Sequence, residues 1–201
     1  MTKKVYLAAV FLMFTGFAAT AQTMSIGPMT GANFMTISDV NSPKILPGFM
    51  AGIFGNYSIN EHFGVNAKLL FSQMGTGTDN SDDIVRLNYI QLPVSLVYFF
   101  GNNGNSIRPK LFAGLYGSYL LQARDNNGND IVFPNGNDVY VKPDFGAQIG
   151  AGLNFIIRPR TWLNIDAGYS TGFNSIVDVE GTKNRNNGFQ LSAGVSFPLN
   201  D

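Results

Sequence analysis

The feature that most constrains the fold is a two-residue alternation of apolar and polar side chains along extended segments. Between Val141 and Ile157, one parity is apolar, whereas the other carries mainly Lys, Asp, Gly, Gln and Asn. Because successive side chains of a strand point to opposite faces, this period indicates β-strands with one apolar face each. The pattern predicts eight strands, at residues 24–34, 47–59, 62–74, 86–100, 107–123, 139–157, 161–173 and 187–199.

The connections between these segments alternate in length. Residues 60–61, 101–106 and 158–160 form short turns, whereas residues 35–46, 75–85, 124–138 and 174–186 form longer loops rich in Asn, Asp, Gly and Ser. Outer-membrane barrels with both termini in the periplasm have short periplasmic turns and longer extracellular loops. The order of connections therefore predicts an up-and-down barrel with four extracellular loops.

The direction of the apolar face separates a membrane barrel from a soluble one. A soluble lipocalin-type barrel would alternate too, with its polar face outside. Here the apolar face carries no charge in the clearest segments, and only 13% of all residues are charged, against about 25% in soluble domains. Aromatic residues near strand ends predict interfacial girdles; they are Tyr57, Tyr98, Phe99, Phe100, Tyr119, Phe155, Trp162 and Phe173. We therefore expect an all-β, closed antiparallel transmembrane barrel, with lipid outside and a narrow lumen filled by polar side chains.

The N-terminal segment is predicted to lie outside this fold. Lys3 and Lys4 precede an apolar run at residues 5–17, and Ala19-Thr20-Ala21 supplies small residues for a cleavage site. The alternative, an N-terminal membrane anchor, would need roughly 20 apolar residues. We therefore expect a cleaved signal peptide at residues 1–21 and one outer-membrane barrel domain at residues 22–201.

Pro93 interrupts the fourth predicted strand. A proline lacks the N–H group that a ladder needs, so within sheets it favours edges and bulges. We expect a β-bulge at this position; the alternative is that the segment is not a central strand.

Several short motifs resemble those of the PorT-like outer-membrane barrel proteins of Bacteroidota. They are Tyr89-Ile90-Gln91-Leu92-Pro93, Gly114-Leu115-Tyr116, Asp144-Phe145-Gly146, Gly150-Ala151-Gly152 and Gly168-Tyr169-Ser170-Thr171-Gly172-Phe173, with Gln22 directly after the expected cleavage site. The resemblance covers the mature chain and implies a barrel in the outer membrane. It implies no shared catalytic residue, and the family name suggests an accessory role in protein secretion.

Six polar residues fall on the inward parity and form the candidate site. They are Lys68, Lys110, Asp144, Asp166, Gln148 and Gln190. Because unpaired buried charges are costly and an eight-stranded lumen is narrow, we interpret them as a structural network; the alternative is an ion path. Strand direction predicts that Asp166 pairs with Lys68 or Lys110, and that Asp144 has a partner nearer the extracellular rim.

Other chemistry has weaker support. His62 is the only histidine and lies beside a short turn, away from the outer leaflet where a lipid A hydrolase would need a base. Residues 125–130 offer oxygen ligands for calcium, but Asn, Asp and Gly clusters are ordinary loop chemistry. The chain has no cysteine, and its formal net charge of zero gives no case for nucleic acid. We expect no catalytic residue, no cofactor and no metal site.

The sequence therefore predicts a non-enzymatic outer-membrane barrel that serves envelope structure or presents its extracellular loops to an unidentified partner. Alternatives are a narrow porin-like channel for small solutes and an accessory component of a secretion system. Expected partners are outer-membrane lipid, the barrel assembly machinery during biogenesis, and an unidentified extracellular or periplasmic protein.

Overall fold

A computed structural model describes residues 23–38, 43–78, 81–102, 104–132, 139–177 and 183–199. The expected signal peptide, residues 1–21, lies outside the described residues. No described helix has the length and apolar character needed to cross a membrane. The strands are β1 (Met24–Ile37), β2 (Pro43–Ser58), β3 (Phe63–Thr78), β4 (Ser81–Phe99), β5 (Ile107–Arg124), β6 (Pro143–Arg158), β7 (Thr161–Gly172) and β8 (Asn186–Pro198).

The eight strands form one closed antiparallel barrel in sequence order, with β1 pairing both β2 and β8. The predicted fold class is confirmed. Paired residues traced around the sheet from Ser25 return to β1 at Met35, ten positions further along, and such a stagger accompanies strand tilt in a closed barrel. The trace runs through Ser25, Asn56, Asn66, Ser95, Gly114, Gln148, Ser170, Gly188 and Met35.

The two ends of the barrel differ in their connections. We call the end that holds both ends of the described chain and the connections β2–β3, β4–β5 and β6–β7 the turn end. The opposite end, with the connections β1–β2, β3–β4, β5–β6 and β7–β8, is the loop end. With the N-terminus in the periplasm, the turn end would be periplasmic.

The strands direct their apolar faces outwards, as predicted. Large apolar side chains are highly exposed on the outer surface, as for Leu96 at 67% and Ile149 at 63%, whereas inward Asp166 is 8% exposed. The interior is less polar than expected, because Met, Leu, Phe and Tyr side chains occupy many inward positions. They form a loop-end cluster (Met35, Ile37, Met74, Leu87, Tyr89, Leu120, Ile176), a mid-barrel cluster (Met29, Met50, Phe54, Leu70) and a turn-side cluster (Val97, Phe99, Phe112).

The predicted strand boundaries are wrong mainly at the loop end. Strand β2 begins at Pro43 instead of residue 47, and β4 begins at Ser81 instead of residue 86. The β3–β4 connection is therefore residues 79–80, which lie outside the described residues, and it is shorter than the β4–β5 turn. The expected strict alternation of long and short connections fails there. Apolar alternation reports lipid contact, whereas backbone pairing continues beyond the roughly 9–11 residues that cross a bilayer.

The bulge expected at Pro93 is absent from its strand pairings. The β3–β4 pairs run from Ala67–Val94 to Leu70–Gln91 in one register, and Pro93 itself pairs with Tyr116 on β5. The β4–β5 register instead shifts between Asn88 and Tyr89. The ladder therefore passes the proline without an inserted residue, because its neighbours hold the register on both sides.

Two of the expected girdle residues face the lumen. Phe99 is 6% exposed in the turn-side cluster, and Trp162 lines a cavity inside the turn end. Tyr98 and Phe100, on the outward parity, are exposed and pack edge to face at 5.0 Å between ring centroids. Aromatic type alone did not separate the two groups, because only parity decides which side of the wall a ring occupies.

Candidate functional site in the barrel lumen

Three charged residues meet across the middle of the lumen. Asp166 Oδ2 lies 3.2 Å from Lys68 Nζ, and Asp166 Oδ1 lies 2.7 Å from Lys110 Nζ. Lys68 is on β3 and Asp166 on β7, four strands apart in either direction around the barrel, so their contact spans the lumen. All three side chains are at least nine-tenths buried. One carboxylate therefore joins two opposite parts of the wall through two cations.

A glycine makes room for the contact between Lys110 and Asp166. Gly152 on β6 pairs with Lys110 on one side and with Asp166 on the other, so it lies between them in the sheet. A Cβ atom at this position would overlap Asp166 Oδ1 and lie 2.8 Å from Lys110 Cε. The missing side chain thus lets the two charged groups meet over the β6 backbone.

Neutral groups complete the environment of the two ammonium groups. Lys68 Nζ lies 5.5 Å from the centroid of the Phe112 ring, an arrangement that favours a cation. Lys110 Nζ donates to Asn164 Oδ1 at 3.4 Å, and Asn164 Nδ2 donates to Ser196 Oγ at 3.1 Å. Removing one member of a buried ion pair leaves an uncompensated charge, so the three residues depend on one another.

Asp144 lies in a separate cluster, towards the loop end. It is fully buried, and its Oδ2 accepts a hydrogen bond from Asn186 Nδ2 at 3.0 Å. The same amide is 3.2 Å from the hydroxyl oxygen of Tyr89, and Ser118 Oγ donates to the Asp144 backbone oxygen at 3.2 Å. None of the ion pairs among the described residues includes Asp144. Its partners are neutral hydrogen-bonding groups.

The two glutamines of the candidate set occupy different environments. Gln148 is buried, and its Nε2 donates to Ser95 Oγ at 2.7 Å. Gln190 is half-buried, and its Nε2 has no hydrogen-bond partner among the described residues. The six predicted residues therefore form a three-residue ion cluster, two separate polar contacts and one glutamine with an unpartnered amide nitrogen.

Sequence reasoning missed several lumen residues that this arrangement needs. Asn164 and Ser95 lie on the inward parity of predicted strands, so parity was an available signal for both. Asn186 falls in a segment predicted as loop, and no local pattern marks it. Asn33, whose Nδ2 donates to Ser72 Oγ at 2.9 Å, lies on β1, where the alternation is weak.

A segment of the β7–β8 loop closes the loop end. Ile176 is 0% exposed and inserts into the loop-end cluster. Its backbone oxygen accepts from Val141 N at 2.8 Å, and its backbone N–H donates to Asn184 O at 2.8 Å. Tyr140 and Val177 form a bridge beside it. An apolar side chain from a connection thus covers the interior of the barrel at this end.

The turn end encloses a cavity of about 340 Å³. Its lining residues are Thr23, Ser25, Asn56, Ser58, Phe99, Gly104, Arg108, Asn154, Arg160, Trp162, Ser196 and Pro198. The Arg108 guanidinium lies 4.8 Å from the centroid of the Phe99 ring and donates to the backbone oxygen of Glu61. Arg108 was not among the predicted site residues, although its parity on β5 matches that of Lys110.

The two weaker candidates have local structural roles. His62 Nδ1 lies 3.1 Å from the Phe99 backbone oxygen, and the ring stacks on Tyr98 at 5.9 Å. In the loop at residues 125–130, Asp125 Oδ1 accepts the backbone N–H groups of Asn127 and Asn129. Hydrogen bonds led by that of the Asn129 backbone hold the pKa of the Asp125 carboxyl below its usual range. No group of three His, Cys, Asp or Glu residues in the described chain is arranged to hold a metal ion.

A closed eight-stranded barrel with an apolar outer belt and a filled interior is a small transmembrane β-barrel. The chain belongs to the family described as outer membrane protein beta-barrel domain, whose model matches residues 20–178. It is accordingly a protein of the cell outer membrane, in contact with the lipid bilayer.

Solved structures share the fold at low sequence identity. Neisserial surface protein A is 17% identical, with a TM-score of 0.57 over 87% of this chain and 96% of that one. OprG from Pseudomonas aeruginosa is 10% identical, with a TM-score of 0.59 over 92% and 99%. A major outer membrane protein from Thermus thermophilus is 12% identical, with a TM-score of 0.59 over 90% and 100%. The comparison with curated proteins gives no significant match.

Proposed function

We propose that this protein is a non-enzymatic outer-membrane barrel whose filled lumen serves as a rigid support for the connections at the loop end. These connections face the cell exterior and are presented to a partner, or they contribute to the envelope surface. The polar residues of the lumen have a structural role in this proposal, and insertion depends on the barrel assembly machinery.

The observation that carries the proposal is the closure of the lumen at two levels. In mid-barrel, the space bounded by Met29, Phe54, Lys68 and Asp166 has no room for a water molecule. At the loop end, the buried side chain of Ile176 covers the apolar cluster. Eight-stranded barrels have an interior just wide enough for side chains to fill. These features favour a support over the alternative of a porin-like channel.

The lumen residues also favour a non-catalytic role. Hydrolysis by an activated nucleophile needs a base within hydrogen-bond reach. His62 lies at the turn end, where its ring contacts a backbone oxygen and Tyr98. Asp166 faces two ammonium groups, and Asp144 accepts from the Asn186 amide with the Ser118 hydroxyl beside it, whereas His62 lies at the other end of the barrel from Asp144.

The sequence motifs further suggest that the chain is one of the PorT-like barrels of Bacteroidota. An accessory role in protein secretion rests on that resemblance alone. Crosslinking in intact cells, followed by co-purification, would identify secretion components among the partners if this role exists. If no secretion component is recovered, the accessory role in secretion is contradicted, and the proposed role as a structural support is unaffected.

Single-channel recording in planar bilayers tests the closed lumen. The purified protein should give no stable conductance steps under conditions in which a water-filled porin conducts. Regular, ion-selective steps from the wild-type protein would contradict the proposal and favour the narrow channel.

Site-specific photo-crosslinking tests the presentation of the loops. A crosslinking side chain at Asn127, in the β5–β6 loop, should give protein adducts in intact cells. The matched control is Ile149, which is 63% exposed on the outer surface and should give lipid adducts. Protein adducts at Ile149 alone would move the partner surface from the loops to the barrel wall.

A further inference from the structure

The β5–β6 loop contains an asparagine that is followed directly by a glycine, Asn127-Gly128. The only other Asn-Gly pair that lies wholly within the described residues is Asn187-Gly188, on β8. A glycine carries no side chain to shield its backbone nitrogen, so that nitrogen can attack the side-chain amide carbon of the preceding asparagine. We propose that Asn127 deamidates spontaneously in the folded protein, whereas the barrel wall protects Asn187 from the same reaction.

The reaction at Asn127 needs no reagent besides water. The Gly128 backbone nitrogen loses its proton and forms a bond to Asn127 Cγ, and the side-chain nitrogen takes up a proton and leaves as ammonia. Water then opens the cyclic succinimide at either of its carbonyl carbons. The product is aspartate, or isoaspartate when the backbone continues through the former side chain. An amide is thereby hydrolysed to a carboxylate, and no group is oxidised or reduced.

The structure leaves the Asn127-Gly128 pair open to this reaction. Both residues are exposed, and a Cβ atom added at Gly128 would meet no atom within 4 Å. Gly128 has a φ of 82°, in the left-handed region that a residue without a side chain adopts readily. Water and hydroxide therefore reach both the Gly128 nitrogen and the Asn127 side-chain amide.

The turn around Asn127 is held by local hydrogen bonds. Asp125 Oδ1 accepts the backbone N–H groups of Asn127 at 2.9 Å and Asn129 at 2.8 Å, and the Asp125 backbone oxygen accepts that of Gly128 at 3.2 Å. These bonds join residues at most four positions apart, so the turn can open without any change in the barrel. The Asp125 carboxylate restrains the reaction, because it holds the turn and its negative charge opposes loss of a proton from the nearby Gly128 nitrogen.

The second pair is fixed within the barrel wall. Asn187 and Gly188 are paired with β1 on one side and with β7 on the other. Asn187 Oδ1 accepts from Thr171 Oγ1 at 2.6 Å, and its Nδ2 donates to the Arg185 backbone oxygen at 3.2 Å. A Cβ atom at Gly188 would overlap the Phe34 backbone oxygen, so the two backbones are in close contact. Formation of a succinimide at Asn187 would require these ladders to separate.

Deamidation would change the charge of the β5–β6 loop. Residues 124–130 contain one Arg and two Asp, so conversion of Asn127 doubles the formal negative charge of this segment. Isoaspartate would also lengthen the backbone within the turn. If the loop end faces the cell exterior, as in the proposed function, the surface offered to a partner becomes more acidic as the protein ages. The reaction itself does not depend on that orientation.

The test compares the two pairs within one chain. The purified barrel, folded in a maltoside detergent or unfolded in urea, is incubated in water enriched in the heavy oxygen isotope and is digested afterwards in ordinary water. Peptide mass spectrometry with fragmentation then counts only the carboxylates formed during the incubation. In urea, both pairs should react at similar rates. In the folded barrel, Asn127 should react at least about tenfold faster than Asn187, because only Asn187 needs a costly opening of the wall.

One variant and one matched control test the role assigned to Asp125. Asp125→Ala should accelerate the reaction at Asn127 and leave Asn187 unchanged. Asp130→Ala removes a carboxylate of the same loop that lies 3.9 Å from Arg124 Nε, and it should change the rate at Asn127 less than Asp125→Ala does. The rate at Asn127 should rise with pH in every folded sample, since the attacking nitrogen must lose its proton. Heat-modifiability on gels verifies that each variant is folded.

Two results would overturn the proposal. The first is the absence of heavy oxygen at Asn127 in the folded barrel over a period in which the urea sample reacts completely, which would show that the turn protects this residue. The second is an equal rate at Asn127 and Asn187 in the folded barrel, which would show that the reaction proceeds only from globally unfolded chains.

Discussion

The two ends of the lumen are built from the same eight strands and differ in what fills them. At the loop end, buried apolar side chains and Ile176 exclude solvent, and the hydrogen-bonding partners of Asp144 among the described residues are neutral. At the turn end, the inward positions carry Asn, Ser and Arg, and a cavity remains. The ion cluster of Asp166 separates the two regions. The comparison shows that one barrel can be closed towards one side and open towards the other through its inward side chains and one apolar side chain from a connection.

The largest expected effect concerns the orientation of the barrel in the membrane, because an epitope tag on intact cells is either accessible to antibody or not. An epitope tag inserted at Asn127 should be detected by antibody on intact cells, whereas a tag at Gly104 should require permeabilised cells. The physical reason is that the two positions lie at opposite ends of a spanning barrel. Detection of only the Gly104 tag would invert the assignment of the ends and direct the cavity outwards.

The boundary between the two regions should be the most sensitive to mutation. Asp166→Ala leaves Lys68 and Lys110 buried without their counter-ion, so we expect a loss of about 3–5 kcal/mol in the free energy of unfolding. Asp144→Ala removes a hydrogen-bonded carboxylate without an ion-pair partner and should cost less, about 1–3 kcal/mol. Urea titration of folding into lipid vesicles measures both. An equal loss in the two variants would remove the distinction between the ion cluster and the Asp144 cluster.

The apolar closure of the loop end can be tested at Ile176. Ile176→Ala deletes a fully buried side chain and should destabilise the fold by about 2–5 kcal/mol, with the low end expected for a residue on a connection. The matched control is Ile131→Ala, in the β5–β6 loop, where the side chain is half-buried. For Ile131→Ala we expect a loss of at most about 1 kcal/mol in the free energy of unfolding, since folding buries less apolar surface at that position. The same urea titration distinguishes a true closure from a loop that merely lies over the barrel.

The smallest effect is expected at Gln190. Gln190→Ser shortens a half-buried side chain whose amide nitrogen has no hydrogen-bond partner among the described residues. Because surface-type substitutions usually change stability by about 0.5 kcal/mol or less, we expect a change near that size. Gln148→Ser, which loses the 2.7 Å hydrogen bond to Ser95, should cost more in the same titration. The reverse order would show that Gln190, and not Gln148, holds a polar contact important for the lumen.

For much of the barrel wall, the local sequence correctly predicted which side chains point outwards and which point into the lumen. The outward exposure of Phe189, Leu191 and Phe197 on β8 matches the predicted parity, as does the burial of Lys68 and Asp166. The predictions were wrong at strand ends, where the alternation stops before the backbone pairing does, and at aromatic residues that were assigned by residue type. The alternation ends near the edge of the lipid, so the extensions of β2 and β4 were missed. Phe99 and Trp162 were assigned to the girdles by residue type, although their parity places them inside.

The sequence by itself determined the number of strands, the face that meets lipid and the inward position of the six candidate residues. These properties follow from the two-residue period, which can be recognised within each strand of the sequence without knowledge of the fold. Only the tertiary structure decided which inward residues meet. Lys68 and Asp166 are 98 positions apart in the chain, and their contact depends on closure of β1 against β8 and on the ten-residue stagger of the sheet. The insertion of Ile176 was equally undetermined, because a loop side chain enters the barrel only when the strands around it have created an apolar space to fill.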